Sequence, residues 1–157
     1  MLFGSILSNV PFNNNPNYPI EYANMVSKAI DSGIFDIVAH PDLFMLLTDQ
    51  FGDLERKYAQ QIIDAAVEQD IPLEINLCHA RLHGMRNFAG CYSYYEYPFT
   101  PFWEMVAKTK AKVVIGFDSH LPQDVYKPGV EIYEHIVNTT GVKPIYHLSL
   151  KDKKIKI

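Results

Sequence analysis

Three short apolar segments of this 157-residue chain end in residue types that bind metals. FDIVAH closes on His40, with Asp42 just after it. IPLEIN carries Glu74 and Asn76, and KVVIGFDSH closes on Asp118 and His120. Alternation along an extended chain sends positions 118 and 120 to the same side. A carboxylate and an imidazole placed that way can share one hard-to-borderline divalent cation such as Zn²⁺, Mn²⁺ or Fe²⁺. Asp-x-His alone is a weak motif, because a turn-capping Asp and an ordinary loop His give the same letters. His40 before Pro41 equally fits a hydrogen-bonded histidine at a strand end. Glu74 lies within an apolar strand, where an unpaired carboxylate is costly. A metal, or a histidine bound to a metal, would supply its partner; a half-exposed place on the sheet face is the bland alternative. Recurrence of ligand types at one topological place says more than any single residue.

The stretch between the second and third segments is crowded with His, Arg and Tyr. Cys78, His79, His83 and Cys91 are zinc-ligand types, but their spacing lacks the paired Cys-x-x-Cys of structural zinc sites. Arg81 and Arg86 are candidate anion binders, since a guanidinium grips phosphate through two parallel hydrogen bonds. The rings Tyr92, Tyr94, Tyr95, Tyr97, Phe99, Phe102 and Trp103 read as packing, with some able to wall a pocket. No dinucleotide fingerprint or phosphate-binding glycine loop is present. Ser119 lacks the flanking glycines of a nucleophile elbow.

The elements that must position these groups alternate. Residues 1–6 read as a short strand, followed by an Asn- and Pro-rich loop. Ala23, Val26 and Ile30 recur at helical spacing within a helix over 20–31, and Gly33 stands where a terminating glycine would. FDIVAH is too short for a helix and fits a buried strand. A second helix follows Gly52, with Leu54, Tyr58, Ile62 and Ala66 on its inner face and Glu55, Arg56, Lys57 and Glu68 toward solvent. IPLEINL is the next strand, and 78–98 reads as irregular. Thr100 caps a third helix that carries Pro101 in its first turn and runs to about Lys108. KVVIGFDSH is a strand and its exit, 129–138 a fourth helix, and PIYHLSL a final strand. Strand–helix alternation argues for parallel strands with helical crossovers, whose carboxyl ends converge on one face.

Composition bounds the partners. Hydrophobic residues make up 48%, charged residues 20%, and the net charge is −4, which argues against disorder and against a basic footprint for nucleic acid. No run of about 18 apolar residues predicts a membrane span. The N-terminus lacks the basic start of a secretory signal. Two cysteines are too few for a disulfide scaffold, so a cytoplasmic protein with reduced thiols is expected. The chain reads as a single domain, 1–157.

Together, FDIVAHPDLF, PLEINLCHAR, YPFTPFWEMV and VVIGFDSHLPQDV resemble the PHP family of metal-dependent phosphoesterases, closest to its histidinol-phosphatase branch. The resemblance implies an α/β fold, a distorted seven-stranded (β/α) barrel of the TIM-like kind. It puts His40, Asp118 and His120 on metal-ligand positions, with Asp118 and His120 the catalytic pair. It puts Arg81 on the substrate phosphate, and Glu74 and Asn76 in support. The family's early His-x-His motif has no counterpart here, and GSIL offers Leu7 where the family has a histidine ligand. The chain is therefore expected to correspond to the C-terminal two thirds of such a barrel, with an incomplete set of divalent ions. The resemblance implies a phosphomonoesterase acting on a small phosphorylated substrate, histidinol phosphate in histidine biosynthesis, with weak or absent activity on its own. The alternative is a truncated, non-catalytic structural or interaction module. An exposed apolar edge near residues 1–10 is expected, and a homo-oligomer or an upstream partner chain would be one remedy for the open barrel edge.

Overall fold

The computed structural model describes residues 16–47, 51–78, 80, 86–88, 91–94, 98–119, 121–122 and 127–146. The expected first strand, the Met1–Val10 edge and the residues after 146 lie outside these. Helix α1 spans Tyr18–Asp31. It buries Ala23, Val26 and Ile30, the stripe its spacing predicts. It stops at Gly33, whose φ of +68° turns the chain left-handed while its N–H donates to the Ile30 carbonyl at 3.0 Å. Beyond a short 3₁₀ turn at Leu43–Leu47, helix α2 spans Asp53–Glu68.

Strand β1 is Leu73–Asn76, β2 is Arg86–Phe88 and β3 is Cys91–Tyr94. Helix α3 is Thr100–Val106, β4 is Val113–Gly116 and helix α4 is Lys127–Thr140. β1 and β4 pair in parallel, with Leu73 opposite Val113 and Asn76 opposite Gly116. FDIVAH joins them by a single parallel bridge: Val38 N–H donates to the Pro72 carbonyl, and Glu74 N–H to the Val38 carbonyl, each at 2.9 Å. On the other edge of β4, Ile145 N–H donates to the Val113 carbonyl at 2.8 Å. PIYHLSL thus starts alongside β4, although no strand is formed through Tyr146. The lateral order 38, β1, β4, 145 is the chain order. The helices follow suit, α1 packing on α2, α2 on α3 and α3 on α4. The fold is mixed helix and strand with parallel crossovers, and the described residues form no closed barrel. None of their helices is long and apolar enough to cross a membrane.

The structure departs from the sequence pattern in three places. Within 78–98 there is an antiparallel β2–β3 pair with an irregular register. On α2, Glu55 is buried and Leu54 is 54% exposed, the reverse of the expectation. The Glu55 carboxylate turns back to accept the Gly52 N–H at 2.9 Å, closing the helix start from inside. Thr100 does not cap α3 either. It is the first residue of that helix, and its buried hydroxyl has no hydrogen-bond partner among the described residues. The buried N–H of Phe99 donates instead to Asp42, from 57 residues away. Around that junction Phe44, Phe99, Phe102 and Trp103 are fully buried, so the aromatic stretch is packing at least this far.

Candidate functional site

His40 sits two residues beyond Val38, and Asp118 two residues beyond the end of β4. Both leave their strands in left-handed backbone, with φ of +56° at His40 and +46° at Asp118. Such angles are uncommon outside glycine, though His and Asp tolerate them better than most residues. The turns aim the two side chains at each other: His40 Nε2 and Asp118 Oδ2 are 4.0 Å apart, and the side chains are partly exposed at 21% and 34%.

Glu74, the second residue of β1, lies beside them. Its carboxylate leans across the neighbouring strand over Gly116. A Cβ on Gly116 would fall 1.7 Å from Glu74 Oε1, so only glycine leaves room for it. The carboxylate accepts hydrogen bonds from the backbone amide of His40 and from Asn76 Nδ2, the latter at 3.5 Å. Burial pushes the Glu74 acid up from its ordinary value; the His40 charge and the two hydrogen bonds pull it down, and Asp118 adds to the rise. Asn76 is buried, and its Oδ1 accepts the Cys78 N–H at 3.1 Å, which shapes the exit of β1. On the far side of His40, the Tyr22 hydroxyl donates to the His40 carbonyl.

Asp42, which follows His40 by two residues, does not belong to this cluster of ligands. It is completely buried, and its Oδ2 accepts both the Phe99 N–H and the Trp103 indole N–H, the latter at 3.1 Å. Its Oδ1 has no partner beyond its own backbone amide. Burial pushes its acid up to about 7 against the pull of those hydrogen bonds.

The structure therefore brings together His40, Glu74, Asn76 and Asp118. His120, Arg81, His79 and His83 lie outside the described residues, as does the Cys91 side chain. Cys78 is half-buried and not in a disulfide. Among the described residues no group of three or more His, Cys, Asp or Glu side chains is arranged to hold a metal ion. The donor chemistry nevertheless suits one. An imidazole and a carboxylate face each other from separate strand ends, while Glu74 is already committed to the His40 amide and Asn76. Sequence reasoning missed two residues here. Gly116 had a signal, a glycine inside an apolar strand, which marks a close approach. Tyr22 had none, because its partner lies 18 residues away across a helix and a turn. No protein-family model, curated protein or solved structure matches the chain.

Proposed function

We propose that the chain is a divalent-metal-dependent phosphomonoesterase of the histidinol-phosphatase kind, built on part of a (β/α) barrel. The observation that carries this reading is the His40–Asp118 pair, held 4.0 Å apart by two left-handed strand exits. Strands and helices that both follow one another in chain order support the barrel, which winds that way. The likeness of FDIVAHPDLF, PLEINLCHAR and VVIGFDSHLPQDV to PHP motifs supports the chemistry.

In this reading His40, Asp118 and His120 hold Zn²⁺, Mn²⁺ or Fe²⁺. When bound, such an ion supplies positive charge beside the phosphate and acidifies water. Arg81 binds the phosphate oxygens in a two-pronged grip. Glu74 fixes the His40 backbone and, with Asn76, orders the exit of β1. Asp118 and His120 also orient the attacking water. The full chain, supplied with each metal in turn, is tested for bound metal by elemental analysis and for phosphate release from histidinol phosphate. Retained metal and phosphate release that are both lost in Asp118→Asn are the expected result. A chain that retains no metal and releases no phosphate overturns the reading.

A further inference from the structure

His40 can face Asp118 only while its backbone stays in a conformation that an L-residue adopts reluctantly. Something must hold it there. The peptide groups on both sides of its Cα are engaged. The His40 N–H donates to Glu74, and the His40 carbonyl accepts from Tyr22. Tyr22 is 3% exposed on α1, and a buried phenol usually finds a partner for its one donor. It spends that donor on the residue that carries the imidazole. Its ring is fixed in turn between Tyr18 and Phe44, each with its centroid 5.9 Å away. Phe44 belongs to the 3₁₀ turn that follows His40, so the ring contact and the hydrogen bond hold the same stretch of chain.

We infer that Tyr22 is a positioning residue of the site: it clamps the His40 carbonyl opposite Glu74 and thereby holds the imidazole where it can share a divalent ion with Asp118. The inference rests on the metal-site reading above. Glu74 and Tyr22 reach His40 from different elements, β1 and α1. The clamp therefore ties the site's geometry to the seating of α1 against the rest of the fold.

The test uses the full chain and Co²⁺ alone as the probe, its affinity and visible spectrum read well below the unfolding temperature. Tyr22→Phe removes one oxygen and leaves the ring packing in place. It is expected to weaken Co²⁺ binding about tenfold, the scale of one buried hydrogen bond. Thr109→Val is the control. It removes the bonds that Thr109 makes to the Val106 carbonyl and the Ala111 amide, on the approach to β4 and away from His40. It should lower stability and leave Co²⁺ affinity unchanged. The inference is overturned if Tyr22→Phe binds like the wild type, or if Thr109→Val loses as much affinity. Absence of Co²⁺ binding by the wild type would sink the metal-site reading instead. The clamp would then be judged on the backbone chemical shifts of His40. A move out of the left-handed region in Tyr22→Phe supports it, and unchanged shifts overturn it.

Discussion

Two acids lie next to His40, Asp42 completely buried and Glu74 half-buried, and they meet different partners. Asp42 and Glu74 are both pushed up first of all by burial. Asp42 is met by two protein donors from the start of α3, and among the described residues no imidazole is bonded to it. Glu74 looks onto an imidazole, a carboxamide and a second carboxylate, with the imidazole and that carboxylate open to solvent. The first acid is a joint that pins the turn after His40 to α3. The second belongs to the cluster of His40, Asn76 and Asp118 on which the proposed metal site rests. Burial and a displaced acidity are thus common to a carboxylate that joins two elements and to one that faces the proposed site. What separates them is the identity of their partners.

The largest expected effect breaks the joint. Asp42→Ala leaves the Phe99 amide and the Trp103 indole without an acceptor in the core, which costs about 3 kcal/mol in urea unfolding at neutral pH. Asp42→Asn keeps the acceptor oxygen and removes the charge, so it should recover most of that loss. The same pair of proteins gives the pH dependence. An unfolded aspartic acid ionises near pH 4, whereas folded Asp42 keeps its proton to about 7. Between those values the unfolded state binds fewer protons than the folded state. This group's contribution to stability is therefore fully present below about pH 4 and is lost as pH rises toward 7, at up to ~1.4 kcal/mol per pH unit. Glu74 is the charged neighbour that adds to the rise. Unfolding midpoints from pH 4 to 8 should show this slope in the wild type and a flatter one in Asp42→Asn. Equal slopes would mean Asp42 is not the titrating group.

A smaller effect separates site from fold on the other side of the comparison. In Gly116→Ala the new Cβ and Glu74 Oε1 cannot share the same space, so the carboxylate must swing away. The overpacking costs roughly 1–3 kcal/mol. If Glu74 holds His40, Co²⁺ affinity falls as well, and the double variant with Glu74→Gln loses little more than either alone. Fully additive losses would show that Glu74 and Gly116 act on the site separately.

What the sequence made legible follows from how local each cause is. The apolar stripe and Gly33 of α1 lie within one helix and its exit, and the alternation that announces parallel strands is read from the order of successive segments. The placing of His40, Glu74 and Asp118 near one another needed only strand ends on a common face. The misread polar features depend on which partner a side chain meets, three residues away at Glu55 and far along the chain at Tyr22 and at the start of α3. Thr100 looks like a cap until Asp42 arrives from the other end of the core. Glu55 looks solvated until its carboxylate folds back on Gly52. Tyr22 looks like one more core aromatic until its hydroxyl finds His40. Polar side chains at element ends were misread most easily, because their identity says what they can bond and not which of several partners will come within reach.

The smallest expected effect compares three left-handed residues that are not glycine, His40, Asp70 and Asp118. Asp70 follows α2 and pairs at the surface with Lys112, whose Nζ is 2.7 Å from its carboxylate. Its φ of +56° matches that of His40, but it faces no site residue. Glycine at such a position removes the Cβ penalty. An exposed ion pair adds only a few tenths of a kcal/mol, which salt screens. Asp70→Gly should therefore be near neutral in low salt and stabilising by about 0.5 kcal/mol in 1 M NaCl, where the lost pair no longer matters. His40→Gly should relieve a similar backbone cost while abolishing Co²⁺ binding. If Asp70→Gly destabilises the fold in both salts, the left-handed angle is not a cost at that turn, and strain at His40 would lose its nearest internal reference.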